Sequence, residues 1–565
     1  MNTVERWKQR KHPLDVIDDV ATYAEEGLSF DEIEAREGEG EWERLKWAGL
    51  YTHGTHRGYF MLRTKVPGGR LTPEQAEVVG EVADEYATAP EEHGGAEQND
   101  LWGDAFLDVT TRQDVQMHWI ELEDVPEIWD RYDEVGLTTV QGCGDSARNV
   151  LGCPVAGVSD HECFDAQPVV DAVSEFFTDN REYANLPRKF KMTVTGCRAD
   201  CAQSQINDVG LTPARRTIDG TEYYGFHVRV GGGLSDGPRM ASPLDVFVPP
   251  EDAVEFCRAV AQTFKELGDR HNRGVCRMRY LVEQLGPETF EEAVRERCAV
   301  ALPTRGQDLT EGYTGDHVGV HDQTRDGLNY VGFNVVGGRM GGDEFAEMAR
   351  AAREFGTEEA TVRLATDQNA LVTHVPEESV DDLLAEPFAE EYQPDPGPFS
   401  RGAVGCTGSE FCNYGIVETK KRVKRWARAL DERIDTPDDL EVVRMHMSGC
   451  SASCAQPQIA DVGFRGETVQ LDTDADGDAE DLVEGMDVGL GGSLGTDNEF
   501  LDWVETAVPA DAVIPALDEL FSVYADERTD GERFYEWTRR VENDRLRTVM
   551  RGAEAPVSKG VATDD

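Results

Sequence analysis

Two cysteine pairs carry the most specific chemistry in this chain. Cys406 and Cys412 stand in GCTGSEFCNYG with five residues between them, and Cys450 and Cys454 stand in SGCSASCAQPQIADVG with three between them. Gly- and Ser-rich loops let backbone amides approach and hydrogen-bond sulfur, and two such loops can converge on one centre. Four thiolates suit a zinc ion or an iron–sulfur cluster. Zinc knuckles usually space their cysteines C-x₂-C, which neither pair does, so the spacing favours iron–sulfur chemistry and hence electron transfer. A second feature is cationic. LPRKFK supplies Arg188, Lys189 and Lys191, and in a strand positions 189 and 191 point to the same face. Lys accounts for 11 of the 55 basic residues, so two on one side of one strand mark a place that needs positive charge.

The elements that position these groups occur twice. FMLRTKVPGGRLTPEQAEVVGEVADEYA and YVGFNVVGGRMGGDEFAEMARAAREFG share a strand, a Gly turn and an amphipathic helix. FLDVTTRQDVQMHWIELEDVPEIWD matches VRLATDQNALVTHVPEESVDDLL, KMTVTGCRADCAQSQINDVGL matches RMHMSGCSASCAQPQIADVGF, and FHVRVGGGLS matches MDVGLGGSLG, all in the same order. The repeat predicts an α+β chain of two small and two larger units. An N-terminal helical extension is expected over 1–44, a small unit over 45–135 and its larger partner over 136–300. The second pair is expected over 315–395 and 396–550, with the proline-rich EEYQPDPGPFSRG as the linker before the last unit. LDTDADGDAEDLVEG looks like a calcium loop but lacks helical flanks, and reads as an exposed acidic insert.

C-x₅-C followed about forty residues later by C-x₃-C, inside a duplicated chain, resembles the sirohaem sulfite and nitrite reductases over roughly residues 40–545. The resemblance implies two ferredoxin-like half-domains and two sirohaem/cluster-binding domains related by a pseudo-twofold axis. It implies that Cys406, Cys412, Cys450 and Cys454 bind a [4Fe–4S] cluster, and that Cys454 is also the proximal ligand of the sirohaem iron. Arg63, Arg148, Lys189 and Lys191 match the residues that bind the oxyanion, and the lysines help protonate it. Thr111, Arg112 and Gln116, on the expected strand TTRQDVQMHW, and Arg188 match residues that hold the sirohaem carboxylates. Tyr51 and Cys143 match a Tyr and a Cys joined by a thioether in one group of sulfite reductases. Nitrite-preferring members commonly carry Asn where this chain has Lys191, so the implied reaction is six-electron reduction of sulfite to sulfide, with nitrite to ammonia as the alternative. The implied donor is ferredoxin, since no nucleotide-binding G-x-G-x-x-G opens a helix here. KKRVKRWAR, Lys420 to Arg428, is its candidate docking face.

Composition narrows the rest. At 565 residues the chain is long enough for several domains, and 39% hydrophobic residues suffice for their cores. It has 111 acidic and 55 basic residues, a net charge of −56. That surface excludes nucleic acid and anionic membrane as partners and counts against a zinc-dependent nucleic-acid binder. It is the expected surface of a protein adapted to high internal salt. No long apolar run or secretory start is present, so a cytoplasmic enzyme is expected. Of the twelve cysteines, Cys153, Cys163, Cys257, Cys276 and Cys298 lack metal-like spacing and are expected as small buried hydrophobes. Cys197 and Cys201 copy Cys450 and Cys454, but with Cys143 and Cys153 they do not keep the cluster pattern, and are expected as a relic of duplication. A non-catalytic iron–sulfur carrier would account for the four cysteines and leave the paired lysines unexplained.

Overall fold

The apolar runs FMLRT and VQMHWI are antiparallel neighbours in a five-stranded sheet, and the second half of the chain builds the same sheet again. The computed structural model describes residues 2–95, 101–103, 105–218, 220–312, 316–437, 439–470 and 482–552. They fall into two units, one made of Met1–Gly233, Gly237–Phe333 and Arg339–Pro394, the other of Leu234–Asp236, Asn334–Gly338 and Asp395–Asp565. The boundary at Pro394 lies within the proline-rich segment. Most of the acidic calcium-loop look-alike, residues 471–481, lies outside the described residues. No described helix is long and apolar enough to cross a membrane.

In the first unit, β1 (Leu50–Thr52), β2 (Phe60–Thr64), β3 (Arg70–Leu71), β4 (Phe106–Val109) and β5 (Val115–Ile120) belong to the first small repeat. After β6 (Met192–Val194), β7 (Val209–Ile218), β8 (Thr221–Val230), β9 (Ser242–Val248) and β10 (Gln307–Asp308) come the strands of the second small repeat. These are β11 (Gly319–Asp322), β12 (Leu328–Phe333), β13 (Arg339–Gly341), β14 (Val362–Leu364) and β15 (Ala370–Pro376). The two small sheets run β1-β2-β5-β4-β13 and β11-β12-β15-β14-β3. Each therefore takes its fifth strand from the other copy: Met340 pairs with Leu107, and Leu71 with Val362. The strand donated by the first copy leaves a Pro–Gly–Gly turn in which Gly68 has φ 60° and Gly69 φ 70°. A Cβ on Gly69 would stand 2.2 Å from Leu364 O, so these left-handed positions admit little but glycine. The helices Pro73–Tyr86 and Gly342–Phe355 then pack where Gly80 meets Ala346 and Gly342, since a Cβ on Gly80 would lie 2.6 Å from Ala346 N.

The larger sheet of this unit runs β10-β7-β8-β9, with β6 parallel to β7. The helices Gln167–Phe177 and Ala253–Leu267 bury Phe177, Phe256 and Phe264 in the same core as Phe190 and Phe226. The second unit carries its counterpart, β16 (Ala403–Gly405), β17 (Met445–Ser448), β18 (Val462–Gln470), β19 (Leu482–Leu490) and β20 (Asp502–Pro509), in that order across the sheet. β16, β17 and β18 are parallel and the remainder antiparallel. Helices Lys420–Arg433 and Ala510–Glu527 join a core holding Phe399, Phe464, Phe521 and Trp537. In each larger unit a parallel strand, β6 or β17, runs into a Gly–Cys loop, and that places the chemistry.

Candidate active site

In the second unit, parallel pairing of β16 and β17 brings both cysteine loops to one end of the sheet. Cys406 follows β16 directly, its N–H donating to Met447 O at 3.1 Å, and Cys450 lies two residues beyond β17. The loops then fasten to each other: Ile416 N donates to Gly449 O at 2.8 Å, and Gly449 N donates to Cys406 Sγ at 3.2 Å. Tyr414 N donates to Cys412 Sγ at 3.5 Å. Glycine is required for this approach, because a Cβ on Gly415 would lie 2.5 Å from Gly408 C. Burial pushes the Cys406 thiol up to about 12, with Cys454 adding to the effect, and pushes Cys450 up to about 11. Thiols that resist ionisation alone need a positive metal centre to hold them as thiolates. Their sulfurs are spread wider than the ligands of one ion. Among the described residues, the set of three or more ligand atoms lying within 4.8 Å of one another is Cys153, Cys197 and Cys201. A donor set of four cysteines with amide–sulfur hydrogen bonds and wide spacing fits a [4Fe–4S] cluster.

The first unit carries the cations. Arg63 Nη1 and Arg148 Nε both donate to Gly142 O, at 3.4 and 3.0 Å, so the two expected anion-binding arginines converge. A Cβ on Gly142 would meet Arg63 O at 2.9 Å, which is why glycine stands there. Arg112 is buried, donating to Asn207 Oδ1 at 2.8 Å and Asn149 O at 2.5 Å. Burial, then Arg148 and Arg63, outweigh Asp114 and bring Arg112 down to about 9. Lys191 is lowered well below its ordinary value by burial and by Arg112, Lys189 and Arg277. Arg112, Arg148 and Lys191 have no carboxylate within ion-pair distance among the described residues. Asp114 acts on Arg112 and Arg148, and Asp208 on Arg112 and Lys191, from beyond ion-pair distance. Such a surplus of buried cations in a chain with twice as many acids as bases fits bound anions: an oxyanion and a carboxylate-rich macrocycle.

Two expectations on local structure change. Lys189 and Lys191 do not lie in a strand, for β6 starts at Met192 and Phe190 makes an isolated bridge to Ala147. The chain is still extended there, with Phe190 and Met192 buried and both lysines half-buried on the opposite side. Thr111 and Arg112 sit not on a strand but in the turn between β4 and β5, where Gln113 has φ 56°. Gln116 is on β5, next to Val115. Arg188 donates to Asp145 Oδ1 at 3.2 Å, so part of its charge is committed within the protein. Tyr51 and Cys143 interact electrostatically, with Arg63 over the Tyr51 ring at 5.9 Å.

Some residues at the site escape a reading by sequence. Lys65 is buried, donates to Thr178 Oγ1 at 2.6 Å and is pushed down to about 8 by burial. Its signal was the scarcity of lysine. Arg277 holds Asp208 at 3.1 Å, and only its nearness to Lys191 reveals it. Cys153 is not merely a small hydrophobe, since the fold carries it to Cys197 and Cys201. Cys257 and Cys276 are buried as expected, while Cys163 and Cys298 are half-buried.

Fold and site define a duplicated α+β oxidoreductase. Residues 143–302 and 397–557 match the nitrite and sulphite reductase 4Fe-4S domain, and residues 51–90, 96–135 and 321–389 match the nitrite/sulfite reductase ferredoxin-like half domain. The chain is 40% identical to the assimilatory ferredoxin-dependent nitrite reductase of Haloferax mediterranei over 548 residues, covering 94% of this chain and 90% of that protein. It is 36% identical to the ferredoxin–nitrite reductase of Synechococcus elongatus, covering 92% and 96%. Among solved structures, that of the Mycobacterium tuberculosis NirA protein is similar with a TM-score of 0.84 and 30% identity, covering 97% of each chain. The chain belongs to the nitrite and sulphite reductase family, and its cofactors are a sirohaem and a [4Fe–4S] cluster.

Proposed function

We propose that this enzyme reduces nitrite to ammonia in the cytoplasm, taking six electrons from reduced ferredoxin and consuming protons as two waters leave. Of the two oxyanions, Lys191 and the Tyr51–Cys143 pair point to sulfite. The names of relatives 40% and 36% identical over more than nine-tenths of this chain support nitrite instead. The observation that carries the reading is the group of cations, Arg112, Arg148 and Lys191, gathered around Asp114 and Asp208 with no carboxylate of the described chain at ion-pair distance from them.

Cys406, Cys412, Cys450 and Cys454 would hold the cluster, and Thr111, Arg112, Gln116 and Arg188 the macrocycle's carboxylates. When bound, the two groups would supply the one-electron transfers that reduce the oxyanion. Arg63 and Arg148, fixed on one carbonyl, orient the anion through charge-assisted hydrogen bonds. Lys191 and Lys189 supply further positive charge. An ammonium that loses solvent on burial and is crowded by Arg112, Lys189 and Arg277, against Asp208, gives up its proton more readily, which suits Lys191 to protonating an oxygen about to leave as water. Bound anion restores its charge balance, so the next proton is retained until it is needed.

The test is steady-state kinetics on cofactor-loaded enzyme in concentrated KCl, with reduced ferredoxin and either nitrite or sulfite. A higher kcat/KM on nitrite, with ammonium as product, supports the proposal. A higher value on sulfite would return the assignment to sulfide formation while leaving the family membership intact.

A further inference from the structure

The duplicated half of the molecule contains a second gathering of sulfur that the reaction does not use. Cys197 and Cys201 occupy the repeat positions of Cys450 and Cys454, but their copy of the C-x₅-C loop is missing. The fold completes the set differently. Cys153 reaches Cys197 and Cys201 with all three sulfurs within 4.8 Å of one another. His317, 116 residues beyond Cys201, places Nε2 at 3.2 Å from Cys201 Sγ. The four side chains are buried, with residue exposures of 3, 2, 1 and 9% in chain order. All belong to the first unit.

We propose that Cys153, Cys197, Cys201 and His317 form a closed, four-coordinate zinc site that fastens three separate segments of the first unit. Zn–S bonds of about 2.3 Å and Zn–N bonds of about 2.0 Å put neighbouring tetrahedral ligands roughly 3.3–3.8 Å apart; here the three sulfurs lie within 4.8 Å of one another, and His317 Nε2 lies 3.2 Å from one of them, Cys201 Sγ. A cubane places each thiolate on a different iron and needs a wider set, such as that of Cys406, Cys412, Cys450 and Cys454. The imidazole also breaks the all-cysteine pattern of cubane ligation and gives the Cys₃His set of structural zinc sites.

The surroundings suit a closed site. Cys153 follows the bridge between Leu151 and Thr193, Cys197 and Cys201 follow β6, and His317 leads into β11. Cys197 N donates to Thr195 Oγ1 at 3.0 Å, and Thr366 Oγ1 donates to Cys201 O at 2.9 Å. Buried Arg363 donates to Pro154 O at 3.0 Å and Ala156 O at 2.7 Å, setting a positive charge beside the net negative one that three thiolates and Zn²⁺ would make. Val155, Tyr330 and Leu371 pack in the same cluster as the three cysteines. Apolar packing on this side leaves the set to hold structure and not substrate.

Full-length enzyme loaded with sirohaem and cluster, passed through EDTA, is to be analysed for metals and by zinc-edge X-ray absorption. The expected result is about one zinc per chain in a shell of three sulfurs and one nitrogen. His317→Ala and Cys153→Ser should each lose that zinc and lower Tm by roughly 5 °C or more, with the visible spectrum kept, whereas Cys163→Ser should retain it. Enzyme that is iron-replete but zinc-free would overturn the site, as would zinc that persists in Cys153→Ser. Iron in excess of one cluster and one sirohaem would replace it with a second cluster. The absorption spectrum of the wild-type enzyme decides even if a variant does not fold.

Discussion

Lys191 and Asp208 meet through the backbone alone: the Lys191 amide donates to Asp208 Oδ2 at 2.9 Å, and Arg277 takes the carboxylate at 3.1 Å. In the other half the equivalent pair is Arg444 and Asp461, and there the side chain does close, with Arg444 Nε at 2.8 Å from Asp461 Oδ2. One copy spends its cation on structure. In the other, Arg277 takes over that task, and the Lys191 ammonium makes no ion pair with Asp208.

Lys191→Asn should therefore reduce turnover with little change in stability. Loss of one charge-assisted hydrogen bond of about 1.5–3 kcal/mol corresponds to roughly a 10- to 100-fold fall in kcat/KM. The fall should be larger for sulfite, the more highly charged anion, than for nitrite. Equal falls on both would show that Lys191 does not set the preference.

Asp145 should make the fold acid-sensitive. Burial alone would raise this carboxyl, but Lys8, Arg273 and Arg188 outweigh it and hold it below the usual carboxylate range. Its contribution is thus fully present above the unfolded-state value of about 3.9 and is lost as pH falls below it. Asp145→Asn should cost about 3–5 kcal/mol at neutral pH by leaving Arg273 and Arg188 without their carboxylate and Lys8 with Glu5 alone. The gap in Tm between the two proteins should narrow from pH 6 to pH 3; a constant gap would remove the charge from the explanation.

At the crossing of helices Pro73–Tyr86 and Gly342–Phe355, one added methyl should be felt. Gly80→Ala would bring Cβ to 2.6 Å from Ala346 N, an overpacking worth about 1–3 kcal/mol that outweighs alanine's helix preference. Gly136→Ala would meet no atom within 4 Å, yet its φ of 73° strains any side chain. Thermal denaturation of both variants separates crowding from backbone strain: Gly27→Ala, also left-handed at φ 62° in open space, should behave like Gly136→Ala. A stabilised Gly80→Ala would refute the close approach.

The basic helix Lys420–Arg433 offers a narrower docking face than its composition suggests. Lys420 and Lys424 are buried, Lys420 donating to Gly337 O at 2.5 Å, and Arg422 is engaged by Glu484. Arg425 and Arg428 remain exposed. Reversing those two to Glu should raise KM for ferredoxin several-fold and spare activity with a chemical reductant, because rim charges act mainly on association. Lys424→Glu should instead lower Tm. Unchanged ferredoxin kinetics in the double reversal would move the docking face elsewhere.

A net charge of −56 should make stability rise with salt. The Debye length falls from about 8 Å at 0.15 M to about 3 Å at 1 M, which screens repulsion across the surface. Tm measured from 0.2 to 2 M KCl is expected to climb, and a flat profile would show that the acidic surface serves another purpose.

Much of this architecture could be read before any coordinates. The repeat was visible because Gly–Cys loops and Gly–Gly turns tolerate few substitutes, so both copies kept them. The four cysteines proposed to hold the cluster lie in two short windows, and parallel strands bring such windows together. The exchange of β3 and β13 was hidden, since two- and three-residue strands leave no periodic pattern. Cys153 and His317 were hidden for another reason: their neighbours in space are remote in the chain, and spacing rules see only local order. Lys189 lay just outside the strand expected of it, because alternation of buried and half-buried residues continues beyond the hydrogen-bonded ladder.

The exchanged strands also constrain how this molecule could have been assembled. A chain holding one small repeat could fill the last place in its sheet only with a segment from a second copy. Such a precursor would be an obligate pair, each member lending two or three residues to its twin. Joining the twins end to end freed them from being identical. One could then keep a lysine out of the ion pair in which the other locked its arginine.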